Sequence, residues 1–302
     1  MSESKENDNG RYFEYLITKN LKDMFNIALT ERASKDQERD QYKKEGISPK
    51  VLQQMEKSIP KIISWIASKI DLNSNCILDR LPDKSVSGTH DDISIINGND
   101  SIAFSLKHNH DSIYHGRTFT IFEWFGFEKK SPEAQDFLNN VAPINKQLKI
   151  DIKPGIRFSI DKVILDEYQS IWSNYVKSIY SEMAKFVNYF SRDSIRVQNL
   201  FKTIVGQGTD SYRVLKKATS SIIIIQDIRS LKLPSKVEAS LDQKEGKKPW
   251  IWYLVLKFDN GMVIEARSKQ DKTYLKEKAL PPLKPDWKVV NWGKSGMVED
   301  KF

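Results

Sequence analysis

The sequence predicts an α/β fold, with a mixed β-sheet flanked by helices and a β-rich part at the C-terminal end. Three observations carry this reading. Apolar residues recur at helical spacing between Phe13 and Ile70. Two β-type runs flank Asn97-Gly98-Asn99-Asp100. After Gly206 the apolar runs become short and strand-like.

In chain order, Met1 to Gly10 reads as a frayed polar tail. Phe13, Leu16, Ile17, Leu21, Phe25 and Leu29 predict an amphipathic helix from Arg11. Residues 30–47 have almost no apolar positions and read as an exposed helix or a mobile arm. Ser48-Pro49 is a helix-start pair, and the helix that follows buries Leu52, Met55, Ile62, Ile63, Ile66 and Ile70, with Pro60 expected to kink it. Ile93–Ile96 and Ile102–Leu106 form a hairpin about the Asn-Gly turn. A long helix is expected over residues 162–190, its stripe of Leu165, Tyr168, Trp172, Tyr175, Ile179, Phe186 and Phe190 facing a core or a dimer seam. Residues 221–225, 250–258, 262–266 and 286–292 read as strands, with a tight turn at Asp259-Asn260-Gly261 and a Lys-rich loop at 236–248.

A chain of 302 residues suggests about two domains, and the change of character places them at 1–205 and 206–302. Cys76 is the only cysteine, which excludes an internal disulfide and a cysteine-based zinc site. No run of about 18 apolar residues supports a membrane span. The N-terminal stretch lacks an apolar signal region, so a cytoplasmic location is expected. Forty-eight Lys and Arg against 40 Asp and Glu give a formal charge of +8, which suits a phosphate-rich partner.

The hairpin carries the chemistry. With the turn between Gly98 and Asn99, paired positions place Asp92 opposite Ser105. Alternation puts Ser105 and Lys107 on one face and Ile102, Phe104 and Leu106 on the other. Asp92, Ser105 and Lys107 then converge on one bound phosphate. A carboxylate beside a lysine at a strand end meets the needs of metal-assisted phosphodiester hydrolysis: the carboxylate holds Mg²⁺, and the ammonium orients or helps deprotonate the attacking water. Asp91 is the rival ligand, but alternation turns it to the opposite face.

Asp92…Ser105-x-Lys107 resembles the PD-(D/E)xK nuclease motif, with Ser105 standing where a second acid is usual. The longer run Ser105-Leu-Lys-His-Asn-His-Asp-Ser-Ile-Tyr-His-Gly-Arg117 is similar to a stretch of HaeIII-like type II restriction endonucleases. Asn9-Gly10-Arg11-Tyr-Phe-Glu14-Tyr15, Phe258-Asp259-Asn260-Gly261 and Leu283-Lys284-Pro-Asp286 resemble the same family at the two ends of the chain. The resemblance implies a restriction-endonuclease-like core that cleaves double-stranded DNA at a short palindrome such as GGCC, with Mg²⁺ as cofactor. It further implies Glu14 as an extra acidic group from the first helix, and a companion DNA methyltransferase that protects host DNA. Cutting both strands needs two passes or two active sites, and a homodimer is one solution.

All four histidines (His90, His108, His110 and His115) fall close together, which marks the region for chemistry or recognition. Their spacing does not suit zinc. Asn109, His110, His115 and Arg117 are expected to contact phosphate or base edges, arginine being the commonest reader of guanine. Phe119, Phe122, Trp124, Phe125 and Phe127 read as core rather than as a base-stacking platform. The missing second acid keeps two rivals open, a basic DNA-binding protein with a decayed nuclease site and a structure-specific repair nuclease.

Overall fold

The computed structural model describes residues 2–81, 91–108, 118–151, 166–206, 211–216, 222–244, 251–269 and 283–302. In chain order it contains α1 (Ser2–Phe25), β1 (Ala28–Leu29), α2 (Glu31–Asp40), α3 (Pro49–Ala67), β2 (Ile77–Arg80), β3 (Ile93–Asn97) and β4 (Asp100–His108). Four helices follow: α4 (Ile121–Trp124), α5 (Pro132–Asp151), α6 (Asp166–Tyr189) and α7 (Ser194–Val205). The remaining strands are β5 (Ser211–Lys216), β6 (Ile223–Asp227), β7 (Val237–Asp242), β8 (Tyr253–Phe258), β9 (Val263–Lys269), β10 (Lys284–Asn291) and β11 (Val298–Lys301). The α/β class and the mixed sheet expected from the sequence are both present.

The strands form a seven-stranded sheet, ordered β1-β2-β3-β4-β5-β6-β11, and a four-stranded sheet, ordered β10-β9-β8-β7. Each belongs to its own unit, one of Met1–Asp111, Gly206–Leu231 and Met297–Phe302, the other of Ser112–Val205 and Lys232–Gly296. A boundary does fall after residue 205, but the chain crosses between the units more than once. Strands β5, β6 and β11, expected in a separate C-terminal part, complete the sheet that holds the β3–β4 hairpin, because the hairpin alone leaves a long edge of unpaired backbone on β4.

In the first unit β1 and β2 run parallel, as do β4 and β5, while the other neighbours are antiparallel. One face carries Ile93, Ile95, Ile102, Phe104, Leu106, Tyr212, Val214, Ile223 and Ile225, and these form one core with Phe13, Ile17 and Leu21 of α1 and Met55, Ile62, Ile63 and Ile66 of α3. Full burial of each such side chain is worth roughly 1.5–3 kcal/mol. Helix α3 opens at Ser48 with Pro49 in its first turn and runs on through Pro60. Two expectations are corrected at α1. The helix begins at Ser2, within the stretch read as a tail, where Asp8 pairs with Lys43 at 2.8 Å. It ends at Phe25, and Leu29 belongs to β1.

Helix α2, from the apolar-poor stretch, is a packed element held by polar anchors. Thr30 Oγ1 accepts from Ala33 N at 3.1 Å and donates to Asp79 Oδ1 at 2.5 Å, while Arg32 pairs with Asp79. At its other end Asp40 is fully buried. Arg39 donates to Asp40 through Nε at 2.7 Å and Nη2 at 2.8 Å. Arg80 Nη2 lies 2.8 Å from Asp40 Oδ2 and 2.6 Å from Glu14 Oε2. Arg80 of β2 is itself only 2% exposed and thereby ties α1 and α2 to the sheet.

In the second unit, Trp287 packs edge-on to Trp124 and Phe258 to Phe201. Ile121, Phe122, Trp124 and Phe125 are buried, so most of the aromatic cluster is core. Asn188 of α6 donates to Ala239 O at 2.9 Å and accepts from Ala239 N at 2.8 Å, covering the outer edge of β7. The segment read as a Lys-rich loop thus begins with strand β7, whose Val237 and Ala239 are buried while Glu238 points outward. The turn at Asp259-Asn260-Gly261 is present, with Gly261 at φ +83°. A Cβ on Gly293 would stand 2.1 Å from Gly261 O, so the two backbones can meet only at glycine. Among the described residues no helix is long and apolar enough to cross a membrane.

Burial opposes the ionisation of Asp40, but hydrogen bonds and charge from Arg39 and Arg80 outweigh it and hold the carboxyl below its ordinary 3.8. A carboxyl depressed in the folded state contributes stability above its unfolded pKa and loses that contribution as pH falls through the folded value. Asp40→Asn is expected to cost about 3–5 kcal/mol of unfolding free energy at pH 7, because Arg80 is left buried without its full counter-charge. In urea titrations the gap to the unsubstituted protein should narrow as pH drops below about 4; a gap independent of pH would assign the loss to packing.

Candidate active site

The hairpin is built as its sequence directs. Asn97 pairs with Asp100, and Gly98 takes φ +60°, a conformation that glycine reaches without strain. With Asn99 at negative φ, the pair fits a type II′ turn, whose twist suits two antiparallel strands. Ile93 faces Phe104 and Ile95 faces Ile102, which is the register read from the sequence, and it brings Asp92 opposite Ser105.

Asp92 stands just before β3, at the end of the strand ladder. Its backbone bridges two neighbours: Asp92 N donates to Phe104 O at 2.7 Å, and Asp92 O accepts from Leu81 N at 2.9 Å. The carboxylate turns toward β4, where Oδ2 accepts from Leu106 N at 2.6 Å. The same oxygen lies 3.7 Å from Lys107 Nζ, and both side chains are 25% exposed. A carboxylate and an ammonium at this distance, both still in contact with solvent, can share a bound phosphate or water. Ser105 shares the Lys107 face by alternation and is buried, and its Oγ has no hydrogen-bond partner among the described residues. Asp91, the rival ligand, is also buried.

Glu14 reaches the first sheet from α1, where it accepts from Arg80 at 2.6 Å. The structure therefore assigns it a structural ion pair whatever else it does. His90, Asn109, His110, His115 and Arg117 lie outside the described residues, and β4 ends at His108.

Among the described residues no group of three or more His, Cys, Asp or Glu side chains converges as a metal cage. Mg²⁺ does not require one, since it is commonly held by one or two carboxylates, water and the oxygens of a phosphate substrate. Asp92 fits that mode as a hard anionic donor.

One row of residues escaped the sequence reading. Strand β5 pairs in parallel with β4 so that Ser105 is the partner of Arg213, and β6 then places Gln226 opposite Arg213. Glu299 of β11 faces Gln226. Ser105, Arg213 and Gln226 are all buried. The signal lay in the alternation of Tyr212 and Val214 with Arg213 and Leu215, over a strand too short and too polar to stand out.

In comparison with known proteins, 252 residues of the chain are 23% identical to the type II restriction enzyme HaeIII of Haemophilus aegyptius, covering 77% of this chain and 75% of that enzyme. No protein-family model matches the chain, and no solved structure matches it. With its mixed sheet flanked by helices, the chain bears a distant, restriction-endonuclease-like relationship to that enzyme, and the likeness suggests a nuclease.

Proposed function

We propose that this chain is a Mg²⁺-dependent type II restriction endonuclease that cuts double-stranded DNA at a short palindrome, with GGCC the first sequence to test. The observation that carries the reading is the placement of the Asp92 carboxylate 3.7 Å from the Lys107 ammonium, at the end of a hairpin whose register turns Ser105 to the same face.

In this mechanism Asp92 is the principal metal ligand, joined by backbone oxygens and water, with Glu14 as the further acidic group. The bound ion supplies positive charge to the scissile phosphate and lowers the pKa of coordinated water. Lys107 orients the attacking water and takes or relays its proton. Leu106 N, by donating to Asp92 Oδ2, keeps the carboxylate aimed along the strand end. Ser105 adds a hydroxyl donor in place of the usual acid. Asn109, His110, His115 and Arg117, which follow β4 directly in sequence, reach phosphates and base edges next to the cut. The β-rich part after residue 206 grips the duplex, a methyltransferase of the same specificity protects host DNA, and a homodimer presents two sites to the two strands.

Ser105 favours one other reading, DNA binding without cleavage. The two part in a digest of unmethylated phage-length DNA with Mg²⁺ or EDTA. Discrete bands only with Mg²⁺ are expected; retarded but intact DNA in both lanes would leave the binder, and a smear would indicate a nuclease without sequence specificity.

Lys107→Ala is expected to reduce cleavage by at least about 100-fold with little change in DNA affinity, and full activity would sink the assignment. Asp92→Asn keeps an acceptor for Leu106 N but loses the charge, so it should remain stable and lose Mg²⁺-dependent cutting. Asp92→Ala should in addition cost about 1–3 kcal/mol in urea unfolding, from the stranded backbone donor. Affinity should fall steeply with salt, as each neutralised phosphate contributes to the slope.

A further inference from the structure

The row Ser105, Arg213, Gln226 and Glu299 crosses four neighbouring strands on the face of the first sheet that also carries Lys107. Its internal bonding has a direction. Gln226 Nε2 donates to Glu299 Oε1 at 2.6 Å, which fixes the amide and leaves its oxygen toward Arg213. Arg213 Nη1 then donates to Gln226 Oε1 at 3.4 Å, a long contact that orients the guanidinium without neutralising it. Arg213 is 5% exposed, and its register partner is a hydroxyl. That hydroxyl, Ser105 Oγ, is buried and has no hydrogen-bond partner among the described residues.

A buried hydroxyl with an unspent donor, next to a fixed cation and on the face of Lys107, is suited to an incoming anion. A guanidinium stays charged at every working pH and presents a rigid array of donors. Such preorganised positive charge in a water-poor site is effective where negative charge develops in a transition state. An acid at position 105 would instead pair with Arg213 across the strands and cancel that charge.

We propose that Arg213 is a positioning residue of phosphodiester cleavage, acting through Ser105: it holds the Ser105 hydroxyl toward a non-bridging oxygen of the scissile phosphate and adds fixed positive charge behind it. Gln226 and Glu299 set the guanidinium in place. The proposal rests on the reading of the hairpin as a nuclease centre.

The test uses the full chain and DNA containing its cleavage site, comparing Arg213→Gln, Arg213→Lys, Ser105→Ala and the Arg213→Gln/Ser105→Ala double variant, with Lys107→Ala as the control for the centre itself. Single-turnover rates are read with Mg²⁺, DNA affinity in EDTA by fluorescence anisotropy, and folding by thermal melting. Arg213→Gln is expected to slow cleavage about 100-fold with affinity within about threefold of the unsubstituted protein. Arg213→Lys should restore part of the rate. Ser105→Ala, which perturbs the sheet least, should also slow cleavage, and the double variant should be no slower than Arg213→Gln alone. The proposal is overturned if Ser105→Ala cuts at the full rate, if the two substitutions multiply, or if Arg213→Gln loses affinity and melting temperature along with rate and Arg213→Lys rescues none of them. Those outcomes count against Arg213 while Lys107→Ala is inactive. A fully active Lys107→Ala would instead overturn the nuclease centre.

Discussion

The pairing of β3 with β4 is the constraint on which the rest of the first unit depends. Strand side chains alternate, so a slip of one residue would send Ile102, Phe104 and Leu106 to the polar face and bring Ala103, Ser105 and Lys107 into the core. Burial of those apolar residues against α1 and α3 resists such a slip far more strongly than any contact at the candidate site. The position of Asp92 beside Lys107 is therefore a by-product of core packing. Chemistry is delegated to the solvent end of a hairpin whose other face has no freedom.

Packing of a different kind fixes α2. It has few apolar residues to bury, and its attachment runs through Thr30, Asp79, Asp40, Arg39 and Arg80. Ion pairs in such a place give little net stability compared with apolar packing, but losing one partner is costly, so they specify position more than they add strength. Glu14 shares Arg80 with Asp40. The acidic group on α1 and the end of α2 thus answer to one guanidinium on β2, which links the placement of Glu14 to the seating of both helices.

The parts legible in the sequence were those whose determinants are local. The hairpin combines a Gly turn, alternation and apolar runs within sixteen residues (Ile93 to His108), so its register and the Asp92–Lys107 neighbourhood followed from pattern alone. The long apolar stripes of α1, α3 and α6 were equally plain. Strands β1, β2 and β11, of two, four and four residues, carry too little pattern to register, and they exist because a neighbouring edge offers backbone partners. Helix α2 was unreadable as a packed element because its anchors are charges on other segments. Arg213 was missed for the same reason: its meaning comes from a parallel pairing that joins residues 105 and 213, and nothing in the string SYRVLK announces that partner.

The outermost strand of the first sheet has a consequence for how the molecule is made. Strand β11 covers the free edge of β6, and Asp300 on it accepts from Trp65 Nε1 at 2.8 Å across 235 residues of sequence. As the chain leaves the ribosome, α1, α3 and the hairpin emerge early, yet the sheet they belong to gains its last strand only after nearly all of the second unit has been synthesised. Until then β6, with its run of isoleucines, presents an open edge to any other strand nearby. Premature termination or cleavage before Val298 would leave that edge permanently unprotected, so the expected product is a self-associating sheet rather than a smaller soluble nuclease.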